Sequence, residues 1–178
     1  DNIIDPYLEK TDLGRVLLEA DLQLKKDLSR FTDPDTAEGR QYWNKLYAKA
    51  EELFGPDDLE IPTITRPWIV PGEIILRAGS GSAFIYKAVL KVCLEQDYLK
   101  DGSAPGATLP GDPRFRELND YSSQLIRELI IPKLTREVNS AKRYAALRQV
   151  YYSLILAQWF KAKSLAGRAS APTWCRPA

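Results

Sequence analysis

The chain has 178 residues, 44% hydrophobic and 28% charged, and its 25 Lys and Arg against 24 Asp and Glu give a net charge of +1. This composition excludes wholesale disorder and bounds the chain at one ordinary domain with a sizeable core. The sequence has no His, which excludes Ser-His-Asp and Cys-His catalysis within one chain and removes the commonest metal ligand and the usual neutral-pH switch.

Residues 11–30, TDLGRVLLEADLQLKKDLSR, carry Leu13, Leu17, Ala20, Leu24 and Leu28 at helical spacing behind a cap at Thr11 or Asp12. In DPDTAEGRQYWNKLYAKAEELFG, Asp35 stands three residues before Glu38, close to a capping box, and Gly55 falls where a C-terminal cap belongs. Trp43, Leu46, Tyr47, Ala50, Leu53 and Phe54 line one face of this second helix. The pattern predicts a helical hairpin over 11–55.

From Ile61 the composition turns to Pro, Thr, Ile and Val, and the segments 68–77 and 83–93 flank AGSGS at 78–82. That arrangement predicts a β-hairpin over 66–93. In its second strand Phe84, Tyr86, Ala88, Leu90 and Val92 alternate with Ile85, Lys87, Val89, Lys91 and Cys93, so one apolar and one mixed face are expected. Pro67 and Pro71 lack ladder donors, which places the first strand at an edge or gives it a bulge. A short helix over 94–100 and a loop over 101–113 follow.

Asp112 then caps a helix with Pro113 in its first turn and with Phe115, Leu118, Tyr121, Leu125 and Leu129 as its stripe. Pro132 predicts a break near IIPKL, and a last helix is expected from Ala141 to Ala162, with VYYSLILAQWF at the centre of the core. The predicted fold is α+β: four or five helices packed around a two-stranded antiparallel hairpin, the C-terminal helix central. One domain spans 1–163, its C-terminal helices over 112–163, and an irregular tail covers 164–178.

Three blocks, YWNKLYAKAEELFG, RPWIVPGEIIL and LRQVYYSLILAQWFK, resemble segments found together in very large, functionally uncharacterised proteins of uncultivated bacteria. The resemblance covers most of 12–162 and implies a module of a longer chain; it brings no activity, cofactor or catalytic residue. The tail after Lys163 departs from it. A start at Asp1 and the lack of Met lead to the same expectation of a processed form or an excerpt.

No cofactor is expected. Cys93 and Cys175 are two soft ligands far apart, best taken as one buried and one incidental thiol, and no acidic loop has the calcium-binding spacing. RAGSGS lacks the phosphate-binding lysine. Basic residues are interleaved with acids, against nucleic-acid binding. No stretch reaches the roughly 18 apolar residues of a membrane span and no signal-peptide pattern is visible, so a soluble chain is expected.

Two functional classes stay open. The leading one is a non-catalytic interaction or structural module whose partner is protein, either the rest of a longer chain or a second copy. The alternative is a His-independent glycoside hydrolase acting on carbohydrate through paired carboxylates. Asp21, on the stripe of Leu17, Leu24 and Leu28, would be its acid, and Glu73 its nucleophile or base. The structural readings of the same residues are an Asp21–Lys25 pair and a Glu73–Arg77 pair along one strand face. Arg148, Gln149 and Gln158, beside the last apolar helix, either bind a partner's polar groups or satisfy carbonyls freed at the IIP break. Tyr151, Tyr152 and Trp159 are core residues or a sugar platform. Ser140 and Lys142 point apart at a helix start and are set aside as a Ser-Lys pair.

Overall fold

A threonine begins the fold. In the computed structural model, which describes residues 10–56, 66–79, 82–98 and 112–164, Thr11 Oγ1 accepts the Gly14 N–H at 3.0 Å and starts α1 (Asp12–Phe31). The loop 101–111 and the tail 165–178 lie outside the described residues. Helix α2 (Ala37–Phe54) is capped by Thr36, whose Oγ1 accepts the Gly39 N–H at 3.0 Å. The cap is therefore one residue later than Asp35. Asp33 decides this, its Oδ1 taking the Asp35 N–H and its carbonyl the Thr36 hydroxyl, so Thr36 is left facing the first turn. Gly55 ends the helix at φ 85, with its N–H on the Glu51 carbonyl, a backbone region that favours glycine.

Strands β1 (Pro67–Ala78) and β2 (Ala83–Leu94) form a two-stranded antiparallel sheet, so the prolines of β1 do sit on an edge strand. The expected single apolar face of β2 divides in two. Phe84 and Tyr86 are exposed, whereas Leu90, Val92 and Leu94 of the same parity are buried. Tyr86 and Lys87 are both exposed, and alternation resumes beyond them with the opposite sense. Hydrogen bonding follows the same change: Gly79 donates to the Ser82 carbonyl across the sheet at 2.8 Å, yet Leu90, of the same parity as Ser82, gives its N–H to a helix side chain. A β-bulge has this consequence, because the extra residue reverses which groups face the partner strand.

After α3 (Glu95–Tyr98), Asp112 caps α4 (Pro113–Leu129) by accepting the Arg114 N–H at 2.9 Å. The helix stops there and restarts as α5 (Ile131–Ser140), since Pro132 has no N–H to continue the ladder. A 3₁₀ turn, Lys142–Tyr144, leads into α6 (Ala145–Ser164). Among the described residues, six α-helices and a hairpin make the fold α+β.

Chain contacts divide the molecule into two compact units, with the divisions falling within α1, β1, β2 and α5. Residues 22–68 and 92–135 form one. There α2 packs on α4, with Tyr42, Leu46 and Ala50 of the one and Leu118, Leu125 and Ile126 of the other buried, and the Tyr42 hydroxyl shares a buried 2.9 Å hydrogen bond with Ser122. Full burial of such side chains stabilises by about 1.5–3 kcal/mol each. The other unit holds 1–21, 69–91 and 136–178. Its buried apolar side chains are Ala20, Leu90, Val138, Tyr144, Leu147 and Ile155. In α6 burial falls on Leu147 and Ile155, while Leu154 and Phe160 are exposed.

Candidate functional site

The outer face of the hairpin tip gathers the exposed aromatic and charged side chains of the sheet. Counting back from the Gly79–Ser82 pair, Arg77 lies across from Phe84 and Ile75 across from Tyr86. Strand periodicity then puts Ile75, Arg77, Phe84 and Tyr86 on one face. The exposed Glu73 and Lys87 adjoin it where both strands change parity, since the Arg66 carbonyl just ahead of β1 accepts the Glu95 N–H although Gly79, of the other parity, pairs with Ser82. Phe84 is 57% and Tyr86 61% exposed. The Arg77 guanidinium lies over the Tyr86 ring, 4.6 Å from its centroid, and Lys87 Nζ is 2.5 Å from Glu73 Oε2. The partner of Glu73 is thus Lys87 of the opposite strand, in place of the expected Arg77.

This face has a firm mount within its own unit. Asn139 of α5 accepts the Leu90 N–H at 2.8 Å and donates to the Leu90 carbonyl at 2.7 Å, closing the outer edge of β2 as a neighbouring strand would. The Tyr151 hydroxyl of α6 donates to the Ile69 carbonyl of β1 at 2.9 Å. Arg148, expected to serve the IIP break or a partner, donates to the Val138 and Ala141 carbonyls at 2.8 and 3.0 Å and so caps the end of α5. Gln149 and Gln158 are exposed on α6. Asp21 is half-buried in α1.

The buried carboxylate of α1 is a different residue, Asp27, 4% exposed, which accepts from Gln23 Nε2 at 3.2 Å and lies 3.7 Å from Arg30 Nη2. Its spacing from Ala20 and Leu24 was the available signal. In the same unit, Glu95 Oε2 takes Trp68 Nε1 at 3.2 Å and Arg66 Nε at 3.3 Å, and Asp97 takes Arg127 through two nitrogens at 2.8 and 2.9 Å. The forked pair with Asp97 holds the Arg127 guanidinium above its usual range. Tyr98 stacks on Trp68 at 5.3 Å, completing a latch that fixes α3.

Among the described residues no group of three or more Cys, Asp and Glu could hold a metal ion, and no helix is long and apolar enough to cross a membrane. Cys93 is half-buried, and Cys175 lies outside the described residues. Comparison with protein-family models, curated proteins and solved structures finds no match to this chain.

Proposed function

We propose that the chain is a non-catalytic interaction module, working as part of a longer protein, whose binding surface is the outer face of the β-hairpin. One observation carries this reading: Phe84 and Tyr86 stand on the same strand face with more than half of each side chain in water. Each ring forgoes a little over half of the roughly 1.5–3 kcal/mol that full burial of a large apolar side chain gives, and an adjacent pair rimmed by charge is the pattern of a contact surface, unlike scattered single exposures. The charges beside the rings are held by Tyr86 and by each other, which limits the side-chain ordering left to occur on binding. The hydrolase reading has no comparable support, since Glu73 is exposed and engaged by Lys87.

The test is affinity isolation from source cells with the wild-type chain as bait, paired with a Phe84→Ser, Tyr86→Ser double variant whose circular dichroism matches wild type. Proteins retained by the wild type should be lost from the variant. Equal recovery by both would remove the hairpin face from the function.

A further inference from the structure

We infer that the partner this face fits is a second copy of the same face, paired about a two-fold axis at Tyr86; the inference rests on the face being a binding surface. The order of charge along β1 is the evidence. Glu73 and Arg77 carry opposite charges and lie symmetrically about Ile75, the residue across from Tyr86. A two-fold axis lying between two such faces, and crossing the strands at that level, reverses strand direction from one copy to the other. Glu73 of each copy then meets Arg77 of its mate, and the two Tyr86 rings meet at the axis. On β2 the same operation sets Phe84 of one copy beside the Glu73–Lys87 pair of the other.

Glu73 already holds Lys87, so the mate's guanidinium joins it as a second cation and the reversed copy builds an Arg–Glu–Lys cluster on each side of the axis. The net charge of +1 adds little long-range repulsion between copies. So few residues a side fall short of the roughly 800 Å² per partner of a stable complex. The pairing is accordingly weak and suited to chains held at high local concentration.

Sedimentation of the intact chain at low salt, in a dilution series reaching about 1 mM, the range in which a weak pairing is populated, tests this directly. The wild-type average mass should climb towards twice that of the monomer. Glu73→Arg alone and Arg77→Glu alone should each stay monomeric, because each sets like charges against one another twice. An equimolar mixture of these two variants should associate again, one copy now offering two cations and the other two anions. A wild-type mass that stays constant with concentration, or a mixture no heavier than its separate components, overturns the inference. If association fails while the bait experiment still loses its partners in the Phe84→Ser, Tyr86→Ser variant, the binding face stands and the second copy is the wrong occupant.

Discussion

Removing the Asn139 amide tests how the hairpin is held. Its side chain accepts the Leu90 N–H at 2.8 Å and donates to the Leu90 carbonyl at 2.7 Å, and Leu90 is 1% exposed. In Asn139→Ala both backbone groups lose these bonds at a place water reaches poorly. A buried polar group left unsatisfied costs about 1–3 kcal/mol, so roughly 2–6 kcal/mol is expected for the two together. That is a large share of the ~5–15 kcal/mol that holds a typical domain. Urea unfolding followed by circular dichroism gives the global loss, and hydrogen exchange at the Leu90 amide gives the local one. Asn139→Asp sharpens the test, because the new side chain keeps an acceptor for the N–H but turns a carboxylate on the carbonyl. Only its protonated form can donate there, so the fold raises the pKa of the introduced carboxyl. A group raised in this way contributes stability that is present below its unfolded value of about 4 and is lost as pH rises through the folded value. The deficit of Asn139→Asp should therefore shrink on acidification while that of Asn139→Ala does not. A loss below about 0.5 kcal/mol for Asn139→Ala, with unchanged Leu90 exchange, would refute the reasoning.

Burial pushes the Tyr42 phenol above its ordinary 10.0, only partly offset by the Ser122 hydrogen bond. Above pH 10 the unfolded chain therefore loses this proton first, and stability should fall with rising pH until the folded group also titrates. Tyr42→Phe should cost about 1–2 kcal/mol at neutral pH for the stranded Ser122 hydroxyl, and should remove that alkaline slope in urea titrations; an unchanged slope would show that another group causes it. At Gly39 an added Cβ would lie 1.8 Å from the Asp33 carbonyl oxygen, a backbone atom with little freedom to retreat. Gly39→Ala should lower stability by about 1–3 kcal/mol despite the ~1 kcal/mol helix preference for Ala, and a thermal melt showing neutrality or a gain would contradict the packing of α2 on the Asp33 turn.

Local chemistry was readable where one residue decides the backbone. Thr11, Gly55, Asp112 and Pro132 act through their own hydroxyl, φ, carboxylate or missing N–H, and each marks a boundary in the structure. Asp35 and Thr36 were harder because both are good cap residues and neighbours; the choice came from Asp33, through a turn that spacing alone does not reveal. The parity change in β2 was not legible. Strict alternation predicts one apolar face through Val92, and nothing in FIYKAVLKV announces that Tyr86 and Lys87 would both be exposed. Asp27 is legible from its spacing to Ala20 and Leu24, but Asp21 on the same helix offers a similar stripe position, and spacing alone does not separate them.

Glu73 shows most clearly what one strand's sequence leaves out. Reading along β1 finds Arg77 on the same face, but side chains at every second position of a strand are about 6.6 Å apart or more. Directly opposed residues on adjacent strands have Cβ atoms about 4.5–5.5 Å apart, so cross-strand neighbours win the short contacts. Lys87, brought onto the exposed side by the parity change next to Tyr86, takes the carboxylate from the adjacent strand, and Arg77 turns to the Tyr86 ring. Each charge is thereby held at the edge of the aromatic pair while the rings themselves stay in water. Had Glu73 paired with Arg77, the two charges would have been drawn together along one strand instead of standing at separate levels of the face. The cross-strand solution keeps an acid and a base apart on β1, on either side of Tyr86, and that separation is what a reversed copy of the face can complement.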